Sequence, residues 1–274
     1  MTIDNWLNFA TKKLVSSEIL TARLDSLILM EACLNTNRVH LLAHGDKNLT
    51  TEQIKWLNRQ LNQRCTHKPL AYILKSREFY GRDFFVNSHV LIPRPETEQI
   101  INFVKDLPEC DYKIADIGTG SGCIGITIVL ELPKTQVDLY DIDPTALLVA
   151  TNNADRYKAN VSIYQSDLMK NLMPKNYDVM VANLPYVPSH SKNIIDIQFE
   201  PPIALFAGLD GLDLYREFWK QISIVQNKPL YVITESIPKS QHVKLEALAL
   251  ATGYKLVATD NFIQKFVLLQ DSNL

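Results

Sequence analysis

Apolar residues recur at helical spacing through the first 75 positions. Trp6, Leu7, Phe9, Ala10 and Leu14 mark one segment, Leu24, Leu27, Ile28 and Leu34 a second, and Ile54, Trp56, Leu57 and Leu61 a third. Thr50 and Gln53 precede the third at capping-box spacing, where each side chain accepts a hydrogen bond from the other residue's backbone N–H. No strand-like alternation competes, so residues 1–75 are predicted to form a small all-helical domain. Between about 72 and 93 the texture turns alternating and aromatic, with Tyr72, Phe79, Tyr80, Phe84, Phe85, Val86, Val90, Leu91 and Ile92 around Gly81 and Asn87-Ser88. This predicts a β-hairpin linker over 76–93.

Residues 94–274 alternate between the two periodicities. After Pro95 a helix runs to about Leu107, followed by strand 112–117, helix 121–132, strand 136–141, helix 145–156 and strands 161–165 and 177–182. Helices near 212–226 and 238–252 and strands near 229–235, 254–259 and 264–269 complete the pattern. Strands separated by helices join through right-handed crossovers, which predicts an α/β domain with a mainly parallel sheet. The last two strands lie too close in sequence for a crossover and are predicted to be antiparallel.

The chain's 274 residues suffice for about two domains. Its 46% apolar and 21% charged residues exclude a disordered or coiled-coil chain. With 28 Lys and Arg against 30 Asp and Glu, the net charge of -2 gives no global attraction to nucleic acid or anionic lipid. Cys33, Cys65, Cys110 and Cys123 show neither a CxxC nor a pairing rhythm, so neither zinc nor a disulfide framework is expected, and a reducing, cytoplasmic setting fits. No secretory signal, transit peptide or apolar run of about 20 residues is visible, so no membrane association is expected.

The first chemical signal is Asp116-Ile117-Gly118-Thr119-Gly120-Ser121-Gly122, where a buried strand enters a glycine-rich turn and opens a helix. Glycines let the backbone turn tightly and a ligand approach closely, and the helix start offers free N–H groups. The next strand ends at Asp141, where a doubly wound fold sets a carboxylate against a ribose diol, while Asp143 before Pro144 reads as a helix cap. A third strand runs out at Asp167. These features fit either a nicotinamide-binding domain or an S-adenosylmethionine methyltransferase. The fourth strand decides between them, because Asn183-Leu184-Pro185-Tyr186 follows it at once. The Asn183 side-chain oxygen and the carbonyl of Leu184 can accept the two hydrogens of a planar NH2 group, Pro185 stiffens the turn, and the Tyr186 ring can cover the group's face.

That tetrapeptide resembles the (D/N)-P-P-(Y/F/W) signature of methyltransferases acting on planar nitrogens, and its Leu184 form also occurs in ribosomal RNA adenine dimethyltransferases. The flanks narrow the choice. Tyr72-Ile73-Leu74, Glu78-Phe79-Tyr80-Gly81, Val90-Leu91-Ile92-Pro93-Arg94-Pro95-Glu96-Thr97-Glu98, Phe199-Glu200-Pro201-Pro202-Ile203-Ala204-Leu205-Phe206-Ala207-Gly208 and Asp210-Gly211-Leu212 resemble the protein-(glutamine-N5) methyltransferases of peptide chain release factors.

The resemblance implies a Rossmann-like methyltransferase with an antiparallel last strand, preceded by a helical substrate-recognition domain. It implies methylation of the glutamine of a Gly-Gly-Gln tripeptide, with a release factor as partner and no direct contact with nucleic acid. It implies that S-adenosylmethionine sits on Gly118, Thr119, Gly120, Ser121 and Gly122, with Asp141 on its ribose and Asn183 beside it. Leu168 falls where the family often has an aromatic beside the adenine. Asn183, Leu184, Pro185 and Tyr186 would hold the glutamine, with Asn183, Pro185 and Tyr186 as the catalytic group and no metal. Two alternatives stay open: an adenine-N6 methyltransferase of RNA or DNA, and a nonenzymatic regulator that binds a nucleotide and a protein.

Overall fold

The computed structural model describes residues 1–108, 111–170, 176–191 and 197–269, so Cys110 lies outside the described residues. The chain divides into two compact units, the first being residues 1–75 with a short later piece ending at Phe199, and the second taking up the chain from Ser76.

The first unit contains helices α1 (Ile3–Ser16), α2 (Ala22–Leu34), α3 (Arg38–Ala43), α4 (Thr51–Arg64) and α5 (Leu70–Leu74). Trp6, Leu7, Ala10 and Leu14 of α1 are fully buried with Leu29, Leu57 and Leu61. The Trp6 indole N–H donates to Asn58 Oδ1 at 3.0 Å, so the largest core side chain leaves no polar atom unpaired. Arg64 Nε donates to the buried carboxylate of Asp25 at 2.6 Å, linking α4 to α2. The capping box at Thr50 and Gln53 is formed in both directions. Two helices escape the periodicity, α3 and α5, because six and five residues are too few to display it. In α5, Tyr72 and Ile73 are buried on a helical turn, within the span predicted to be helical although the aromatic texture starts there.

The second unit opens with the antiparallel hairpin β1 (Arg77–Phe79) and β2 (Arg82–Phe84), closed by Tyr80 and Gly81, both at positive φ. Phe79 and Phe84 are fully buried in the core of this unit, so the hairpin is one of its packed elements. It is shorter than the alternation predicts: Val86, Val90 and Ile92 are buried without strand pairing.

The main sheet combines β3 (Lys113–Ile117), β4 (Gln136–Asp141), β5 (Val161–Gln165), β6 (Val179–Ala182), β7 (Tyr231–Glu235), β8 (Tyr254–Asp260) and β9 (Ile263–Leu268) in the order β5-β4-β3-β6-β7-β9-β8. Neighbours among β3 to β7 are parallel, and β9 runs antiparallel to both β7 and β8. Helices α6 (Gln99–Lys105), α7 (Cys123–Glu131), α8 (Pro144–Tyr157), α9 (Asp213–Ile224) and α10 (His242–Ala251) accompany it. Alternate residues of the central strands feed two cores: Ile114, Leu139 and Val181 pack with Ile101, Ile124 and Ile128, whereas Ala115, Tyr140 and Met180 pack with Phe218, Trp219 and Phe266.

Strand order reverses between β3 and β6, which is where an open α/β sheet leaves a crevice beyond its carboxyl ends. A close helix–sheet approach sets one wall of it: a Cβ on Gly125 would lie 2.2 Å from Leu139 Cδ2, so only glycine lets α7 settle on β4 at this depth.

The capping box gives a direct stability test. Thr50→Ala should destabilise the first unit by about 1 kcal/mol, the usual worth of an N-cap side chain. The readout is a lowered urea midpoint in the fluorescence of Trp6 and Trp56, with an unchanged slope.

Candidate active site

The five residues after β3 form the glycine turn. Gly118, Gly120 and Gly122 sit at φ +73°, +54° and +80°. The N–H groups of Gly118 and Thr119 both donate to the Tyr140 carbonyl, at 2.8 and 2.9 Å, which binds the turn to β4. Beneath it lies fully buried Asp116, whose Oδ2 accepts from Thr119 Oγ1 at 2.7 Å and from Gly125 N at 3.0 Å, while Oδ1 has no partner. Burial pushes this carboxyl up to about 6, against the two hydrogen bonds that favour its charged form.

Asp141 ends β4 beside the turn. Its Oδ2 accepts from Gly120 N at 2.9 Å and its Oδ1 from Asp143 N at 3.0 Å, and the Ile142 N–H donates to the same carboxyl, which leaves it acceptor capacity toward the cavity. Burial raises the Asp141 carboxyl as well. Asp143 caps α8 by accepting from Thr145 N at 2.8 Å, the role its sequence position predicts.

A cavity of about 270 Å³ lies over this turn, lined by Gly118 to Ser121, Asp141, Ile142, Asp167, Leu168, Asn183, Leu184 and Pro185. A Cβ on Gly120 would meet nothing within 4 Å, so the backbone there faces open space. Leu168 lines the cavity at φ +53°, a strained backbone for a bulky residue. Two of the predicted site residues do not line this cavity. Gly122 instead meets Ile126 and Ala150, at 2.8 and 3.3 Å from where its Cβ would lie, and serves helix packing. Tyr186 directs its hydroxyl away, into a buried network.

That network centres on Glu235 at the end of β7, 1% exposed. Its Oε1 accepts from the Tyr186 hydroxyl at 2.8 Å and its Oε2 from Thr97 Oγ1 at 2.6 Å. Asn183 Nδ2 donates to Thr97 Oγ1 at 3.2 Å. Burial raises the Glu235 carboxyl and, together with that carboxylate, raises the Tyr186 phenol. The backbone of the turn is pinned separately. Leu184 N donates to the Tyr215 hydroxyl at 3.3 Å, which in turn donates to the Glu235 carbonyl at 2.5 Å. A proline at 184 has no N–H for this contact, so leucine supplies a bond here in place of proline's rigidity. Gln241 Nε2 donates to the carbonyls of Tyr186 and Asp210, at 2.8 and 2.9 Å.

The flanking motifs acquire physical reasons. A Cβ on Gly211, at φ +78°, would lie 2.0 Å from the Tyr186 carbonyl oxygen, so the Asp210-Gly211-Leu212 segment can approach the Asn183-Leu184-Pro185-Tyr186 turn, a claw of polar groups, only as glycine. Arg94 forms an ion pair with buried Glu200, whose Oε2 also accepts from Ile92 N at 3.1 Å, joining the Ile-Pro-Arg-Pro and Phe-Glu-Pro-Pro runs. Sequence reasoning did not single out Thr97 by role, nor Glu235, Tyr215 and Gln241. For Glu235 a signal was present, since an acid ending a buried strand is the feature that marked Asp141. Tyr215 and Gln241 carry no comparable signal.

His40, exposed, and His44, half-buried, stack at 4.1 Å between centroids in the first unit. Among the described residues no group of three or more His, Cys, Asp or Glu is placed to hold a metal ion, and no helix is long and apolar enough to cross a membrane.

A doubly wound sheet whose glycine turn, strand-end carboxylate and Asn-Leu-Pro-Tyr turn border one cavity is a Rossmann-like methyltransferase fold. Residues 5–74 match the PrmC N-terminal domain and residues 100–198 the methyltransferase small domain. The release factor glutamine methyltransferase of Koribacter versatilis is 36% identical over 228 residues, 81% of either chain. A bifunctional methyltransferase of Rickettsia typhi is 35% identical over 93% of this chain, which spans 54% of that protein's length. The chain belongs to the release factor glutamine methyltransferase family. Among solved structures, the hMettl16 catalytic domain in complex with MAT2A 3'UTR hairpin 1 shares the fold, at a TM-score of 0.58 and 15% identity over 78% of this chain and 82% of that one.

Asp116 provides a pH test. Its carboxyl titrates near 3.9 when unfolded and near 6 when folded, so the folded protein binds this proton more tightly. The stability gained is complete below about pH 4 and is lost as pH rises through 6. Asp116→Asn cannot ionise, so its stability relative to wild type should improve by up to about 3 kcal/mol between pH 4 and pH 7 in urea denaturation. A flat difference would mean that Asp116 titrates as an ordinary carboxylate.

Proposed function

We propose that the chain transfers a methyl group from S-adenosylmethionine to the side-chain amide nitrogen of a glutamine in a peptide chain release factor, within a Gly-Gly-Gln tripeptide. The observation that carries this is the Asn183-Leu184-Pro185-Tyr186 turn bordering the glycine-turn cavity in a chain of this family. The residues fit the cofactor by their chemistry: open space over Gly120, remaining acceptor capacity on Asp141 for a diol, and apolar walls from Ile142 and Leu168 for a planar base. When bound, S-adenosylmethionine supplies an electrophilic methyl group on a sulfonium.

The chain's own residues then solve a nucleophile problem. An amide nitrogen is weak because its lone pair is delocalised into the carbonyl. Asn183 Oδ1 and the Leu184 carbonyl accept the two NH2 hydrogens, which orients the nitrogen and favours the rehybridised form it must reach. Pro185 stiffens the turn, and Tyr186, outside the cavity lining, anchors it through its hydroxyl bond to Glu235. The helical first unit is the part assigned to recognising the release factor, since every cofactor-type residue lies at or after Gly118. A protein substrate of this kind puts the enzyme in the cytoplasm and requires no nucleic-acid surface.

The test is incubation with labelled S-adenosylmethionine, an intact release factor and, in parallel, an adenine-containing RNA, followed by mass mapping. Label should appear on the Gly-Gly-Gln glutamine. Methylated adenine with an untouched glutamine would replace this reading by the RNA one. Asn183→Ala should lower turnover about 10²- to 10³-fold, the usual cost of one preorganised polar contact to a reacting group. Asp141→Ala should weaken cofactor binding by roughly 1.5 to 3 kcal/mol in calorimetry, and unaltered affinity would remove its ribose role.

A further inference from the structure

An acceptor such as Asn183 works only if its amide is the right way round. Rotated by 180° about its last side-chain bond, it would present NH2 to the substrate's NH2, donor against donor. Three atoms decide the orientation. An ionised Glu235 carboxylate has no hydrogen, so the single hydroxyl hydrogen of Thr97 must point to Glu235 Oε2, 2.6 Å away. Thr97 Oγ1 then has only lone pairs left for Asn183, so the group 3.2 Å from it must be the NH2 end. The Asn183 oxygen is left for the cavity, which Asn183 lines.

We propose that Glu235 and Thr97 are positioning residues that fix which end of the Asn183 amide faces the substrate. The inference rests on the reading of Asn183 as acceptor for the target amide. The same carboxylate takes the Tyr186 hydroxyl on its other oxygen, so one buried charge orders both polar ends of the claw. With Glu235 1% and Thr97 2% exposed, water is in no position to substitute for either link. Thr97 lies inside the Pro95–Glu98 turn, which gives the Pro-Glu-Thr-Glu run a role beyond starting a helix.

Protonation of Glu235 removes the constraint, because a carboxylic acid can donate to Thr97. The groups facing Glu235 are Thr97, Tyr186 and Asn183, with Glu96 from the same turn, Cys123 from α7 and Tyr215 from α9. Burial pushes Cys123 up to about 12 and both tyrosines upward, so these three stay neutral through the working range. Glu96 and buried Glu235 are the carboxyls of this set, and burial raises the latter. Activity should therefore fall toward acid as Glu235 takes up its proton. Asp116 also titrates near 6 beneath the glycine turn, so the diagnostic is the difference between wild type and a variant lacking the Glu235 charge.

The experiment compares full-length wild type with Glu235→Gln, Thr97→Val, Thr97→Ser and the double variant Glu235→Gln/Thr97→Val. Single-turnover methylation of an intact release factor should slow about 10- to 100-fold in Glu235→Gln and in Thr97→Val, the range expected when a reacting group is misoriented. Affinity for S-adenosylhomocysteine should stay within about twofold, Thr97→Ser should restore most of the rate, and the double variant should be no slower than the slower single one. The acid limb assigned to Glu235 should vanish from the Glu235→Gln profile. An independent readout needs no turnover: with selective 15N labelling of asparagine, the Asn183 side-chain amide, assigned by its loss in Asn183→Asp, should exchange slowly with solvent in wild type and rapidly in Glu235→Gln and Thr97→Val. Wild-type rates in both variants, or an unchanged Asn183 amide, would overturn the proposal. Failure of wild type to methylate any release factor would instead overturn the substrate assignment, and the amide readout would still decide the positioning role.

Discussion

Glu235 has two oxygens and, when ionised, no hydrogen, and that asymmetry gives direction to the polar groups around the Asn-Leu-Pro-Tyr turn. Placed on the surface, such a carboxylate would exchange partners with water and impose nothing. Buried at the end of β7, it takes one hydroxyl on each oxygen, from Tyr186 and from Thr97. A buried charge is tolerated only when its acceptor positions are filled, so the need to satisfy Glu235 and the need to orient the claw are met by the same bonds. The cost of this arrangement is a carboxyl whose charge is harder to keep, since burial raises it.

A second constraint is steric. The elements around the cavity approach one another more closely than a methyl group allows, at Gly125 against Leu139 and at Gly211 against the Tyr186 carbonyl. The first contact brings the glycine turn down onto β4, next to Asp141. The second brings the segment before α9 against the claw, where Gln241 bridges the carbonyls of Tyr186 and Asp210. These contacts act on the backbone, and so they hold the positions of the side chains that line the cavity without themselves entering it.

How much of this was legible in the sequence depends on the range of the interaction that decides each feature. β4 and β5 fall on their predicted spans, 136–141 and 161–165, because short strand-forming runs bounded by helices carry a strong local signal. The Asp143 cap and the Thr50 capping box are also local and also legible. The predicted hairpin was too long at its far end, because its strands stop at Phe84 and the buried residues beyond are held by distant partners, as when Ile92 N donates to Glu200. In the site, the residues of the glycine turn and the claw could be read from their motifs. Glu235, Thr97 and Asn183 meet across separations of 138 and 86 residues, and no single-sequence pattern carries that. Leu184 marks the boundary: its departure from proline was visible, but the Tyr215 hydroxyl that uses its N–H was not.

The placement of β9 has a consequence for the order in which the enzyme becomes competent. β7 pairs with β6 on one side and with β9 on the other, and β9 (Ile263–Leu268) follows β8 in the chain although it lies between β7 and β8 in the sheet. The parallel strands β3 to β7 can pair before β9 joins the sheet, yet Glu235 pairs in register with Ile263, the first residue of β9. Until that late, non-local pairing forms, the strand end that carries Glu235 has one flank open to water. Closure of the parallel strands can thus precede the ordering of the polar network that joins Glu235, Thr97 and Tyr186 as the chain folds.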